Sequence, residues 1–140
     1  MRRIAPLACA VLVAACSLPT ETPINRVELT VEPEAIATGD SLSAWLVNRS
    51  ELTVQYSFCP AALERRTEGS WWRVQQPFGV PAGTTSMCIG IAYELPPGDK
   101  AEYRQLVTAD VESGLYRLRM NVTIGDSNSS LSSSVFRVLP

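Results

Sequence analysis

The chain alternates. From Val27 onward its apolar residues recur with a period of two, and no stretch longer than one helical turn carries a convincing 3.6-residue stripe. Val27, Leu29 and Val31 alternate with Glu28, Thr30 and Glu32; Leu42, Ala44 and Leu46 alternate with Ser41, Ser43 and Trp45. Val54, Tyr56 and Phe58 do the same, as do Tyr116, Leu118, Met120 and Val122 against Arg117, Arg119 and Asn121. Successive strand side chains point to opposite faces, so each segment predicts a strand with one face turned inward. Turn signals separate them: Asn48-Arg49-Ser50, Leu95-Pro96-Pro97-Gly98-Asp99 and Gly125-Asp126. Ala62–Arg66 and Trp71–Gln75 predict a hairpin around Thr67-Glu68-Gly69-Ser70, where Gly69 can supply a positive φ. Pro77–Thr85 reads as a loop, Met87–Glu94 as an apolar run, Ala101–Val107 as a strand, and the serine-rich tail as a last strand ending near Val138. Many short strands without a helix predict an all-β, antiparallel β-sandwich of about 7–9 strands.

The first residues have a different character. Met1-Arg2-Arg3 is positively charged, and Ile4–Ala15 is apolar but too short to span a bilayer of ~30 Å. Val13-Ala14-Ala15-Cys16 follows, and the segment resembles a bacterial lipoprotein signal. That resemblance implies removal of residues 1–15 and a lipid on the Cys16 thiol, where several acyl chains at ~0.8 kcal/mol per buried methylene hold a protein stably on a membrane. Residues 16–25, with Pro19 and Pro23, read as a spacer extending up to ~3.1 Å per residue. The expected location is the cell envelope: Ser17 after Cys16 favours the outer membrane in a two-membraned cell, and a one-membraned cell would carry it on its outer face. Residues 26–140 are then a single domain, a chain of about 125 residues after cleavage being long enough for one core.

The chain has four cysteines. With Cys9 in the apolar leader and Cys16 acylated, Cys59 and Cys88 are left to pair in an oxidising compartment. The formal charge of −2 becomes roughly −4 without Arg2 and Arg3, which argues against a nucleic-acid partner. There is no histidine, so Ser-His-Asp and Cys-His nucleophiles are unavailable. The carboxylates are scattered, no glycine-rich phosphate cradle occurs, and we expect no enzymatic activity, no cofactor and no metal.

The order of features along residues 26–124 is similar to bacterial immunoglobulin-like domains of secreted and lipid-anchored proteins. It is carried by Thr38-Gly39-Asp40, Asn48-Arg49-Ser50, Leu63-Glu64-Arg65, Glu68-Gly69-Ser70-Trp71, Leu95-Pro96-Pro97-Gly98 and Gly114-Leu115-Tyr116-Arg117. The resemblance implies a sandwich used for display or contact, with no catalytic residues to transfer. Cys59 and Cys88 are additions to that pattern and do not occupy the positions of the antibody bridge.

Trp71, Trp72 and Arg73 form the candidate binding surface. Adjacent strand residues face opposite ways, so one indole is expected in the core and the other outside, beside Arg65, Arg66 and Arg73. The outer one is either a platform for an envelope protein or glycan, or it packs against an arginine stem. Tyr116, following Gly114 at the start of a late strand, is expected to tie a loop through its hydroxyl, as a tyrosine corner does. Two other functions stay open: a proteinase inhibitor on a similar sandwich presenting Pro77–Thr85, and a carbohydrate-binding module.

Overall fold

In the computed structural model, residues 26–80, 83–84, 87–88 and 90–140 are described. The leader, Cys16 and the spacer lie outside that range. Eleven strands form: β1 (Val27–Glu32), β2 (Ala35–Ala37), β3 (Ser41–Asn48), β4 (Val54–Tyr56), β5 (Ala62–Thr67), β6 (Ser70–Gln75), β7 (Tyr93–Leu95), β8 (Lys100–Leu106), β9 (Gly114–Ile124), β10 (Ser127–Ser132) and β11 (Phe136–Leu139). They make the two sheets of an all-β sandwich. One is β1-β3-β8; the other, of eight strands, is built on β9.

The count exceeds the expected 7–9 because the three-residue β2 shows no alternation in the sequence and the serine-rich tail, read as one strand, breaks into β10 and β11. β4 and β5 lie end to end along one edge of β9, and β10 and β11 lie end to end along the other. β1 runs beside β3, then passes through the cis Glu32–Pro33 bond into β2, which pairs parallel with β11 in the opposite sheet. One opening segment thus belongs to both sheets.

The alternation is realised as packing. Val27, Leu29 and Val31 of β1 and Leu42, Ala44 and Leu46 of β3 are buried facing Leu118, Met120, Val122 and Ile124 of β9, with Leu63, Phe136 and Val138 closing the core. Each large side chain withdrawn from water in this way contributes roughly 1.5–3 kcal/mol before entropy is counted. The Tyr116 hydroxyl donates to the Glu112 carbonyl at 2.6 Å, four residues upstream, so the tyrosine corner forms as expected.

The polar turn at Asn48 has a larger role than its sequence suggests. Asn48 is fully buried, and its Nδ2 donates to the carbonyls of Leu52 at 2.8 Å and Leu95 at 2.9 Å. Its Oδ1 accepts from the Ser50 amide at 3.0 Å and the Ser50 hydroxyl at 2.7 Å. One amide side chain therefore joins the end of β3 to its own turn and to β7 across the sandwich.

The two ends of the domain are distinct. Arg26 accepts from the Arg49 amide beside the Asn48–Asp99 contacts, so the chain enters at the end formed by the 48–53, 96–99 and 125–126 turns. β5 runs antiparallel to β9 toward Gly114, which carries the Thr67–Ser70 hairpin tip out at the opposite end. β9, with eleven residues, spans roughly 35 Å between them.

Candidate functional site

The hairpin forms in the expected register, with Thr67 opposite Ser70 and Arg66 opposite Trp71. Glu68 and Gly69 have φ of 50° and 84°, the pair of positive values that a type I′ turn requires. Burial falls along β5 from Ala62, Leu63 and Glu64 to exposed Arg66 and Thr67, because the hairpin outruns the facing three-stranded sheet. The two tryptophans do point to opposite faces, but neither reaches the core. On the outer face Trp71 is half-buried, with the Arg117 guanidinium 4.4 Å from its ring centroid. Arg117 also binds the nearly buried Glu64 carboxylate through Nε and Nη2, both at 2.8 Å, and Arg119 reaches the same carboxylate at 3.5 Å. Trp71 is therefore held by an arginine stack across the sheet. Trp72, opposite Arg65, is 63% exposed, with Val74 exposed further along the same face. Arg73 donates to Gln76 and lies opposite Glu64, so the three candidate residues divide between the two faces of the hairpin. The open platform is Trp72; Trp71 and Arg73 belong to the polar outer face.

The disulfide is present. Cys59, between β4 and β5, is joined to Cys88, with 5.5 Å between their α-carbons. It anchors the long connection between β6 and β7 beside a second surface that the sequence did not reveal. Tyr56, Phe58, Phe78, Tyr93 and Tyr103 converge with Cys59, Met87 and Ile91 on a groove of about 550 Å³. The rings contact one another in series: Tyr93 and Tyr56 at 5.7 Å, Tyr56 and Phe58 edge-on at 5.3 Å, Phe58 and Tyr103 stacked at 5.0 Å. Such pairs contribute about 0.5–1.5 kcal/mol beyond their burial. Met87, Ile91 and Tyr93 are exposed at its rim.

One end of the groove is fixed by backbone approach. Gln105 on β8 donates to the Gly79 carbonyl at 3.2 Å, and the Gly79 amide donates to Gln75 Oε1 at 3.3 Å. Gly79 has φ of 83°, and a β-carbon there would lie 1.9 Å from Gln105 Cγ, so only glycine fits without displacing the glutamine. Pro77–Val80 closes this end; Pro81, Ala82 and Thr85 of the anticipated inhibitory loop lie outside the described residues.

Burial pushes the phenols of Tyr56, Tyr103 and Tyr116 above their ordinary value near 10; Tyr93 adds to the effect at Tyr56, while at Tyr116 Arg65 opposes it and Glu112 adds to it. The folded chain therefore keeps these protons to higher pH than the unfolded chain does. It binds more protons above about pH 10, so stability is full below that point and falls as pH rises through the folded-state values. Urea unfolding midpoints are expected to be level between about pH 7 and 9 and to drop by pH 11.

Among the described residues no group of three or more His, Cys, Asp or Glu side chains is placed to hold a metal. The arrangement offers two contact surfaces, an exposed indole at the tip and an aromatic groove on the flank. The groove was missed because its rings come from separate segments, two of which, around Phe78 and Tyr93, carry no alternation.

No family model matches the chain, and no curated protein does. Among solved structures it is similar to a chain from a chaperone–tip adhesin complex of CFA/I fimbriae biogenesis. That match has a TM-score of 0.47 and 14% identity, over 81% of this chain and 58% of the other. It is also similar to a PapD-like domain of human CEP192, with a TM-score of 0.34 and 12% identity, over 94% and 98% of the two chains. At these scores they are remote likenesses of shape.

Proposed function

We propose that this is a lipid-anchored protein of the bacterial cell envelope, a non-catalytic immunoglobulin-like domain that binds another envelope component through its β5–β6 hairpin. The observation that carries the reading is the separation of ends: the chain enters beside Arg26, and Trp72 stands exposed toward the opposite pole. A lipid on Cys16 and the spacer after it would leave that pole facing away from the membrane. The disulfide suits an oxidising compartment. The bound component is a protein or a glycan, and an exposed indole suits either.

Two measurements in intact cells test this. Labelled palmitate is expected in the wild-type polypeptide and absent from Cys16→Ser. A photo-reactive residue replacing Trp72 is expected to crosslink to an envelope component, while one replacing Asp126, exposed at the entering end, is not. Absence of label would remove the anchor, and equal crosslinking from both ends would remove the polarity.

A further inference from the structure

The aromatic groove on the flank lies apart from the hairpin and does not depend on the reading above. Its volume, about 550 Å³, falls within the range of small-molecule pockets, which are mostly apolar with a few placed polar groups. We propose that this groove binds an uncharged, largely apolar small molecule carrying a flat ring, seated on Tyr56, Tyr93 and Tyr103.

Three features of the wall select that class. The first is charge. Glu102 is the only ionic residue among the described groove residues other than its phenols, and its carboxylate accepts from Ser43 at 2.8 Å on the outer side of the sheet. No lysine or arginine lines the groove among the described residues, so an anion would give up its hydration without a partner. The second is the scarcity of polar groups. The Gln105 amide is engaged with Gly79, and Tyr103 points its hydroxyl at the Phe78 carbonyl at 3.5 Å. A sugar, which must satisfy several hydroxyls, would be poorly served, whereas one acceptor on an apolar ring could be met by a phenol that stays protonated. The third is ring geometry. The chain of contacts from Tyr93 to Tyr103 presents ring edges and faces at the spacing that aromatic partners prefer. The Cys59–Cys88 bridge holds this wall in place before any ligand arrives, which lowers the ordering cost of binding.

The probe is N-phenyl-1-naphthylamine, a neutral bicyclic aromatic amine that becomes fluorescent in apolar surroundings. It is titrated into the purified mature chain, residues 16–140 expressed without the apolar leader and carrying Cys16→Ser, so that no leader, acyl chain or detergent competes. Saturation at one probe per chain is expected, with a dissociation constant of about 50 μM or tighter. Tyr93→Ala and Ile91→Asp, both at exposed rim positions, are expected to weaken it about tenfold with unchanged circular dichroism, and Trp72→Ala to leave it alone. The anionic relative 8-anilinonaphthalene-1-sulfonate is expected to bind more weakly than the neutral probe. Failure to saturate, indifference to both rim variants, or preference for the sulfonate overturns the proposal. Calorimetric binding of maltotriose that Tyr93→Ala abolishes would overturn it in favour of a glycan site.

Discussion

Replacing Asn48 with leucine is expected to lower the unfolding free energy by about 3–4 kcal/mol. The substitution conserves approximate size and removes every polar atom of a side chain that is fully buried and makes four hydrogen bonds. The Leu95 carbonyl and the Ser50 amide then lose this partner, while the Leu52 carbonyl keeps the Ser50 hydroxyl at 3.1 Å; orphaned polar groups, more than the lost bonds themselves, set the cost. For a domain of this size that corresponds to a fall in melting temperature of roughly 12–20 °C, read by circular dichroism. Ser50→Ala alone should cost less, since Asn48 keeps its contacts to Leu52 and Leu95. Combining the two changes should add little to Asn48→Leu, because both act on one network. A loss below about 1 kcal/mol in Asn48→Leu would show that water replaces the amide and that the link between the sheets is dispensable.

Removal of the Cys59–Cys88 bridge, by reduction or by a double change to alanine, is expected to cost a comparable 3–4 kcal/mol, approximately, but by a different route. The cysteines are 29 residues apart, and a loop of that length restricts the unfolded chain more than it strengthens the folded one. The signature lies in the denaturant dependence. The unlinked chain unfolds to a more expanded ensemble, so its urea m-value should rise while the midpoint falls. Asn48→Leu should shift the midpoint with little change in m. Equal m-values with and without the bridge would mean that the unfolded chain stays compact in that region regardless of the link.

The sandwich was legible because its central strands are clean. Leu42, Ala44 and Leu46, and Leu118, Met120 and Val122, alternate without interruption and are buried on one face as that pattern requires. The breaks were not legible. Ser133–Val135 interrupts a line whose composition does not announce a change of partner, and β2 and β7 are too short to show a period. At Trp71-Trp72 the local rule held and the conclusion drawn from it failed. Opposite faces follow from the pleat, whereas entry into the core requires a facing sheet, and at that height there is none. Asn48 reads as a turn residue because its type is common in turns. Its burial depends on where the Leu95 carbonyl arrives, 47 residues further on. The same non-locality hid the groove, whose rings meet only after three strands and two connections have been placed.

The polarity of the domain has a mechanical consequence. A pull applied between Arg26 and the Thr67–Ser70 tip runs along the strands, while ladder hydrogen bonds lie across them. β1 is held to β3 by six residue pairs, and under such a load these must slide together instead of opening one after another. The first segment to feel traction from the Arg26 side is thus clamped in shear, and its continuation into β2 grips the other sheet through β11. A domain tugged from its two poles would resist until that clamp gave way.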